Sequence, residues 1–203
     1  MRVIIFTAAL LSAIALGLSG CASISEGECI SGSWSDIGYK DGVKGKSRGK
    51  LADYSKTCAK YGVEPRRDVY LTAYESGLVK YCTYEQGFEL GENGNNYNQV
   101  CSGNLSTGFS AGYDEGRVVY EINREHKRLI DDYEDTLEDL VDVRARLAGD
   151  NADKDDEGNV IPLSSQERKR LVKEQYRLEG ALDDLRQDVR DFEYNNDLPR
   201  HSF

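Results

Sequence analysis

Apolar residues recur every seven positions near the C-terminus: Leu171, Leu178, Leu185 and Phe192, with Gln175, Leu182 and Val189 interleaved. A repeat of seven split into steps of three and four keeps one stripe on one helix face, so this segment is restricted to a helix with a coiled-coil-like seam and one polar interruption. An earlier segment repeats the pattern with Ile122, Leu129, Thr136 and Val143, interleaved with His126, Tyr133, Leu140 and Leu147, while Ile130 and Leu137 widen the face. Each helix has about 30 residues, or ~45 Å at the helical rise, and matched lengths predict an antiparallel hairpin over 117–197. The connector from Gly149 to Leu163 is polar, and Ser164 with Glu167 reads as a capping box opening the second arm. Seven acids between Asp131 and Asp142 have no base among them. In an antiparallel pairing they would lie near Lys173 and Arg177, although exposed ion pairs contribute less than about 1 kcal/mol each. Residues 198–203 read as a tail.

Residues 34–116 differ sharply, being rich in Gly and Tyr. Gly38-Tyr39-Lys40-Asp41-Gly42, Ala73-Tyr74-Glu75-Ser76-Gly77, Gly87-Phe88-Glu89-Leu90-Gly91 and Gly112-Tyr113-Asp114-Glu115-Gly116 share one pattern: small, aromatic, two variable residues, Gly. Small residues four apart lie on one face of a helical turn, where a second backbone can approach. The copies start 35, 14 and 25 residues apart, which does not fit a solenoid. The expectation is short helices packed through Gly faces, separated by a loop at Asn93 to Asn98. Tyr39, Tyr74, Phe88, Tyr97 and Tyr113 have two readings: a stacking platform for envelope glycans such as peptidoglycan or lipopolysaccharide, or the module's own core, which tight Gly pairing favours.

The chain opens with Arg2, an apolar stretch from Val3 to Leu16, and Leu18-Ser19-Gly20-Cys21. A stretch of 14 residues is shorter than the ~20 a membrane-spanning helix needs, and the charged tip with small residues at the cut site marks an export leader over 1–20. Leu-Ser-Gly-Cys is a lipoprotein cleavage pattern, so Cys21 is expected to carry the lipid, palmitate included, that ties the chain to a membrane. The next residue is Ala22, not the Asp that retains such proteins at the inner membrane, so an outer-membrane, periplasm-facing address is expected. Residues 21–33 read as a tether, flexible apart from a crosslink at Cys29. Setting Cys21 aside leaves Cys29, Cys58, Cys82 and Cys101, an even number suited to two disulfides in an oxidising compartment. Of three pairings the shortest closure is Cys29–Cys58 with Cys82–Cys101, each contributing on the order of 3 kcal/mol. A four-Cys zinc site is disfavoured because no closely spaced Cys pair exists.

Without the leader the net charge is near −11, with 15 Lys/Arg against 23 Asp/Glu in residues 117–203. That balance argues against nucleic acid as a partner, since phosphates need a basic face. The two histidines, His126 and His201, stand beside no candidate nucleophile, and His126 falls on the heptad seam. Asp153-Lys154-Asp155-Asp156-Glu157-Gly158 resembles the start of a calcium loop, but its twelfth position is Ser164 rather than a bidentate Glu. No metal, cofactor or catalytic set is expected, and no carboxylate pair stands out for an envelope hydrolase.

Trp34 with Gly38-Tyr39-Lys40-Asp41-Gly42, then Tyr74 through Thr83, Gly87, Gly91, Gly94, Tyr97, Val100-Cys101, Phe109 and Tyr113 together resemble the uncharacterised bacterial lipoprotein family known as domain of unknown function 2799. The resemblance covers about residues 29–120. It implies an envelope lipoprotein with no known activity, and supplies no catalytic residues. The expectation is an all-α chain: a small disulfide-stapled Gly/Tyr-rich helical module followed by a long antiparallel helical hairpin. It would be held to the membrane through Cys21, with a non-enzymatic role through an envelope protein partner on the hairpin, or, alternatively, through glycan binding.

Overall fold

A computed structural model describes residues 24–150 and 153–203, so Cys21 and the leader lie outside the described residues. The described chain is all α-helical: α1 (Glu26–Ser31), α2 (Trp34–Val43), α3 (Lys50–Cys58) with a 3-10 turn at Ala59–Tyr61, α4 (Arg67–Tyr81), α5 (Tyr84–Glu92), α6 (Asn104–Ala148) and α7 (Ser165–Asn195). No described helix is long and apolar enough to cross a membrane. The chain divides into two compact units, the first ending at Gly116 and the second spanning Arg117–Phe203.

The segment expected to be a tether is ordered from Ile24 onward. The Ser25 side chain and Glu28 cap α1 reciprocally, Ile24 is buried, and Cys29 is fully enclosed. The capping box satisfies amides that so short a helix would otherwise leave open, and the disulfide fixes its position.

Both disulfides close over the shortest loops, Cys29–Cys58 and Cys82–Cys101. The four motif copies pair off. A Cβ on Gly38 would strike the Tyr70 carbonyl, one on Gly42 the Tyr74 carbonyl, and one on Gly77 the Tyr39 carbonyl, each well inside contact distance. Partners advance together along both chains, so α2 and α4 run parallel with their backbones touching. The same contacts recur in the second half: Gly87 meets the Phe109 carbonyl, Gly112 that of Tyr84, and Gly116 that of Phe88. The first unit is therefore a doubled motif, α2 with α4 and α5 with the start of α6. In each copy a disulfide joins the segment before the first helix to the connector between the two. Tyr54 stands four residues before Cys58, and Tyr97 four before Cys101. The irregular motif spacing arises from connectors of different length.

The second unit is a two-helix packing whose core holds Tyr133, Leu140, Leu178 and Leu182. Leu129, Leu171 and Val189 of the seam are buried as well. Ser164 and Glu167 form the capping box that opens α7. Two details differ from the sequence reading. The helix containing the first arm begins at Asn104, not at Arg117, because the fourth glycine motif is itself helical and continuous with it. The long acidic run lies near Arg177, where Asp139 helps hold the guanidinium charged, but among the described residues it makes no ion pair with Lys173 or Arg177: Lys127 and Arg128 pair with Asp131 and Asp132 within α6, and Arg177 pairs with Glu174 within α7. Across the two helices Arg144 pairs with Glu179 at 2.8 Å, and His126 meets Glu193 at 2.9 Å.

Candidate functional site

The glycine contacts bring α2 and α4 so close that side chains are forced to the two flanks of the pair. On the inner flank Asp41 is 3% exposed. Its Oδ2 accepts hydrogen bonds from the hydroxyls of Tyr54 (2.7 Å) and Tyr70 (2.9 Å), and its Oδ1 pairs with the Lys46 ammonium at 2.8 Å. Tyr74 donates its hydroxyl to the Lys46 carbonyl at 2.6 Å. A carboxylate taken out of water is tolerated only when its lone pairs are occupied, and here two phenols and an ammonium do so. Burial, then the hydrogen bond to Asp41 and its charge, push the Tyr54 and Tyr70 hydroxyls well above the ordinary tyrosine range. Burial also raises the Tyr74 and Tyr81 hydroxyls. The hydroxyls of Tyr54, Tyr70 and Tyr74 are all engaged as donors, an arrangement that ties α2, α3 and α4 together.

The five rings named from the sequence fall into different places. Tyr74 is fully buried, which corrects its reading as a ring open to a sugar: it lies parallel to Tyr70 at 6.0 Å and its hydroxyl is engaged inside. Tyr97 is packed between Phe109 (4.6 Å) and Tyr113 (5.9 Å), and its hydroxyl both accepts from the Cys101 amide and donates to the Cys101 carbonyl. Tyr113 donates to the Asn95 carbonyl. Phe88 is half-buried beside Tyr84, with ring centroids 6.4 Å apart. Tyr39, at 43% exposure, is the open ring of the five. It lines a groove of about 620 Å3 on the outer flank of α2 and α4, together with Ser35, Asp36, Asp68, Thr72 and Ser76.

Sequence reasoning passed over Tyr54 and Tyr70 and treated Asp41 as a variable motif position. The usable sign was the twice-repeated Tyr-x-x-x-Cys spacing, which puts a tyrosine four residues before each connector cysteine, within α3 for Cys58 and in the irregular stretch between α5 and α6 for Cys101.

In the second unit His126 lies half-buried on the seam, with Nε2 2.9 Å from Oε1 of Glu193 and its ring stacked on Phe192. Glu193 is 2% exposed and also accepts from the His201 backbone amide at 2.8 Å. Burial raises the Glu193 carboxyl, but the His126 and His201 hydrogen bonds outweigh it and hold the group below the usual carboxylate range. The tail is thereby folded back: Phe203 meets Tyr133 edge-on at 4.7 Å, beneath the Arg186 and Arg190 guanidiniums. In the acidic loop the Asp155 carboxylate is taken up by the amides of Glu157 and Asn159 and by the Asn159 side chain. Among the described residues no cluster of three or more His, Cys, Asp or Glu could hold a metal ion.

No curated protein and no solved structure matches the chain. A family model described as "Protein of unknown function (DUF2799)" matches residues 33–118, the span of the doubled helix pair. Across those residues the chain carries a domain of unknown function 2799, the family that its Gly/Tyr motifs and paired cysteines resemble.

Proposed function

We propose that this chain is a lipid-anchored cell-envelope protein with a non-enzymatic role, presenting its helical hairpin to a protein partner. Leu18-Ser19-Gly20-Cys21 and the adjoining Ala22 support the anchor and an outer-membrane, periplasm-facing address. Two disulfides agree with an oxidising compartment. The observation that carries the interaction role is an apolar strip outside the seam. Leu137, Val141 and Arg144 share one face of α6, and Val172, Tyr176 and Glu179 share one face of α7, by their spacing of four and three. The Arg144–Glu179 pair joins these two faces, so the side chains flanking it lie along one side of the hairpin. Val141 is 55% exposed and Tyr176 70%. A run of exposed aliphatic and aromatic side chains beside a completed seam is surface available to another protein.

Two experiments test this. Cys21→Ser is expected to move the chain from the membrane to the soluble fraction of fractionated cells; retention in the membrane overturns the anchor. A photoreactive residue at Tyr176 is expected to crosslink to a protein in intact cells. Changing Leu137, Val141 and Val172 together to Glu is expected to lower that yield by about tenfold without moving the melting temperature, as befits removal of anchor side chains. A yield indifferent to those changes overturns the interaction role.

A further inference from the structure

The doubled motif allows one helix pair to be compared with the other, position by position. Ser35 of the first pair corresponds to Tyr84 of the second, and Ser76 to Glu115, because each stands at the same distance from the matching glycines. In the second pair the Tyr84 hydroxyl donates to the Glu115 carboxylate, closing the outer flank. In the first pair two small serines replace that bridge, and the flank is the open groove beside Tyr39. The groove's volume lies in the usual range of ligand sites, about 300–1,000 Å3. The side chains of Asp36, Tyr39 and Asp68 make no hydrogen bond or ion pair with other described residues, in contrast to those of Asp41, Tyr54 and Tyr70 on the inner flank.

We infer that this groove binds an uncharged saccharide. Sugar rings present an apolar C–H face, which fits the open face of Tyr39, and a rim of hydroxyls. Each hydroxyl both donates and accepts, as Ser35, Thr72 and Ser76 do, and adjacent hydroxyls donate to carboxylates such as Asp36 and Asp68. The Ser76 hydroxyl donates to the Thr72 carbonyl, leaving its lone pairs open to a ligand. Among the described residues no Lys or Arg lines the groove, so phosphorylated or acidic glycans would meet like charge there. Asp36 and Asp68 also sit in first turns of their helices, where an acid is favoured. That accounts for their charge, but not for an exposed ring and three hydroxyls on the same flank. The inference is independent of the hairpin's role.

The test uses the full-length chain, disulfides intact, in detergent micelles. It is titrated with tetra-N-acetylchitotetraose, maltotetraose, a phosphorylated oligosaccharide and spermidine while backbone amides are followed by NMR. One of the two uncharged sugars is expected to bind with a dissociation constant on the order of 1 mM or tighter, shifting amides of residues 35–39 and 68–76. Tyr39→Ala is expected to weaken that binding about tenfold, and Asp68→Asn severalfold, while Tyr84→Ala leaves it unchanged. Three results would each overturn the inference: no uncharged sugar shifting those amides at about 10 mM, undiminished binding by Tyr39→Ala, or preferential binding of spermidine or the phosphorylated sugar.

Discussion

Gly42→Ala is expected to destabilise the first unit by about 3 kcal/mol, the upper range for overpacking a close-packed interior. The added methyl would land on the Tyr74 carbonyl, with the Leu78 amide and the Gly77 Cα close behind. These are backbone atoms, so no rotamer change relieves the clash and the helices must move apart. Separation loosens Gly38 against Tyr70 and Gly77 against Tyr39, which lie in the same interface. Alanine's better helix propensity offsets at most about 1 kcal/mol of this. Gly180→Ala in α7 is the control, since a Cβ there meets nothing within 4 Å. It is expected to raise stability by up to about 1 kcal/mol. Denaturant melts of both variants decide the matter. Two changes within about 0.5 kcal/mol of each other would mean that the glycine contacts are not what holds the pair.

Asp41→Ala is expected to cost about 3–5 kcal/mol, the range for breaking a buried charge network on one side only. It strands the hydroxyls of Tyr54 and Tyr70, both almost fully enclosed, whereas Lys46 is partly exposed and can turn to water. The second helix pair shows the alternative, because Leu90 occupies the position matching Asp41. The triple change Asp41→Leu, Tyr54→Phe, Tyr70→Phe is therefore expected to recover most of the loss, having no polar group left unpaired. High pH supplies a second readout. Tyr54, Tyr70, Tyr74 and Tyr81 hold their protons in the folded state above the ordinary value of 10.0. The unfolded chain then binds fewer protons than the folded one, so their contribution is fully present below pH 10 and declines as pH rises beyond it. The triple variant should lose less stability than wild type over that interval. A cost below about 1 kcal/mol for Asp41→Ala would show that the network is incidental.

How far these features could be read from the residues depended on whether the cause was local. The seam from Leu171 to Phe192 and the cap at Ser164 are consequences of helical periodicity and of amides close in sequence, and both are present in the fold. The glycine faces were legible as faces. Which copy meets which was not, because parallel pairing needs a long connector and leaves no short-range mark. Cys29–Cys58 and Cys82–Cys101 obey the shortest closure, and each closes the connector of one copy. Asp41 and Tyr39 stand two residues apart in the same motif copy, and the sequence treats both as ordinary polar or aromatic positions. Their opposite fates, one enclosed and one open, depend on which flank of α2 meets α3. That is settled by tertiary contacts of Tyr54 with Asp41 and Tyr70. The ion pairs went unpredicted for a related reason: on long helices neighbours three or four residues away compete with partners across the seam.

The two disulfides lie in tandem and enclose separate stretches, with residues 59–81 between them. A protease that cuts once inside either enclosed stretch, between Cys29 and Cys58 or between Cys82 and Cys101, leaves a nicked but covalently single molecule. A cut in α4, or anywhere after Cys101, divides the chain in two. The connector up to Cys58 and the loop between α5 and Cys101 are thus places where the backbone can be broken without separating the C-terminal helices from the residues ahead of Cys29. The connected piece between them has no such protection, and α4 lies within it, sealed against α2 by glycine.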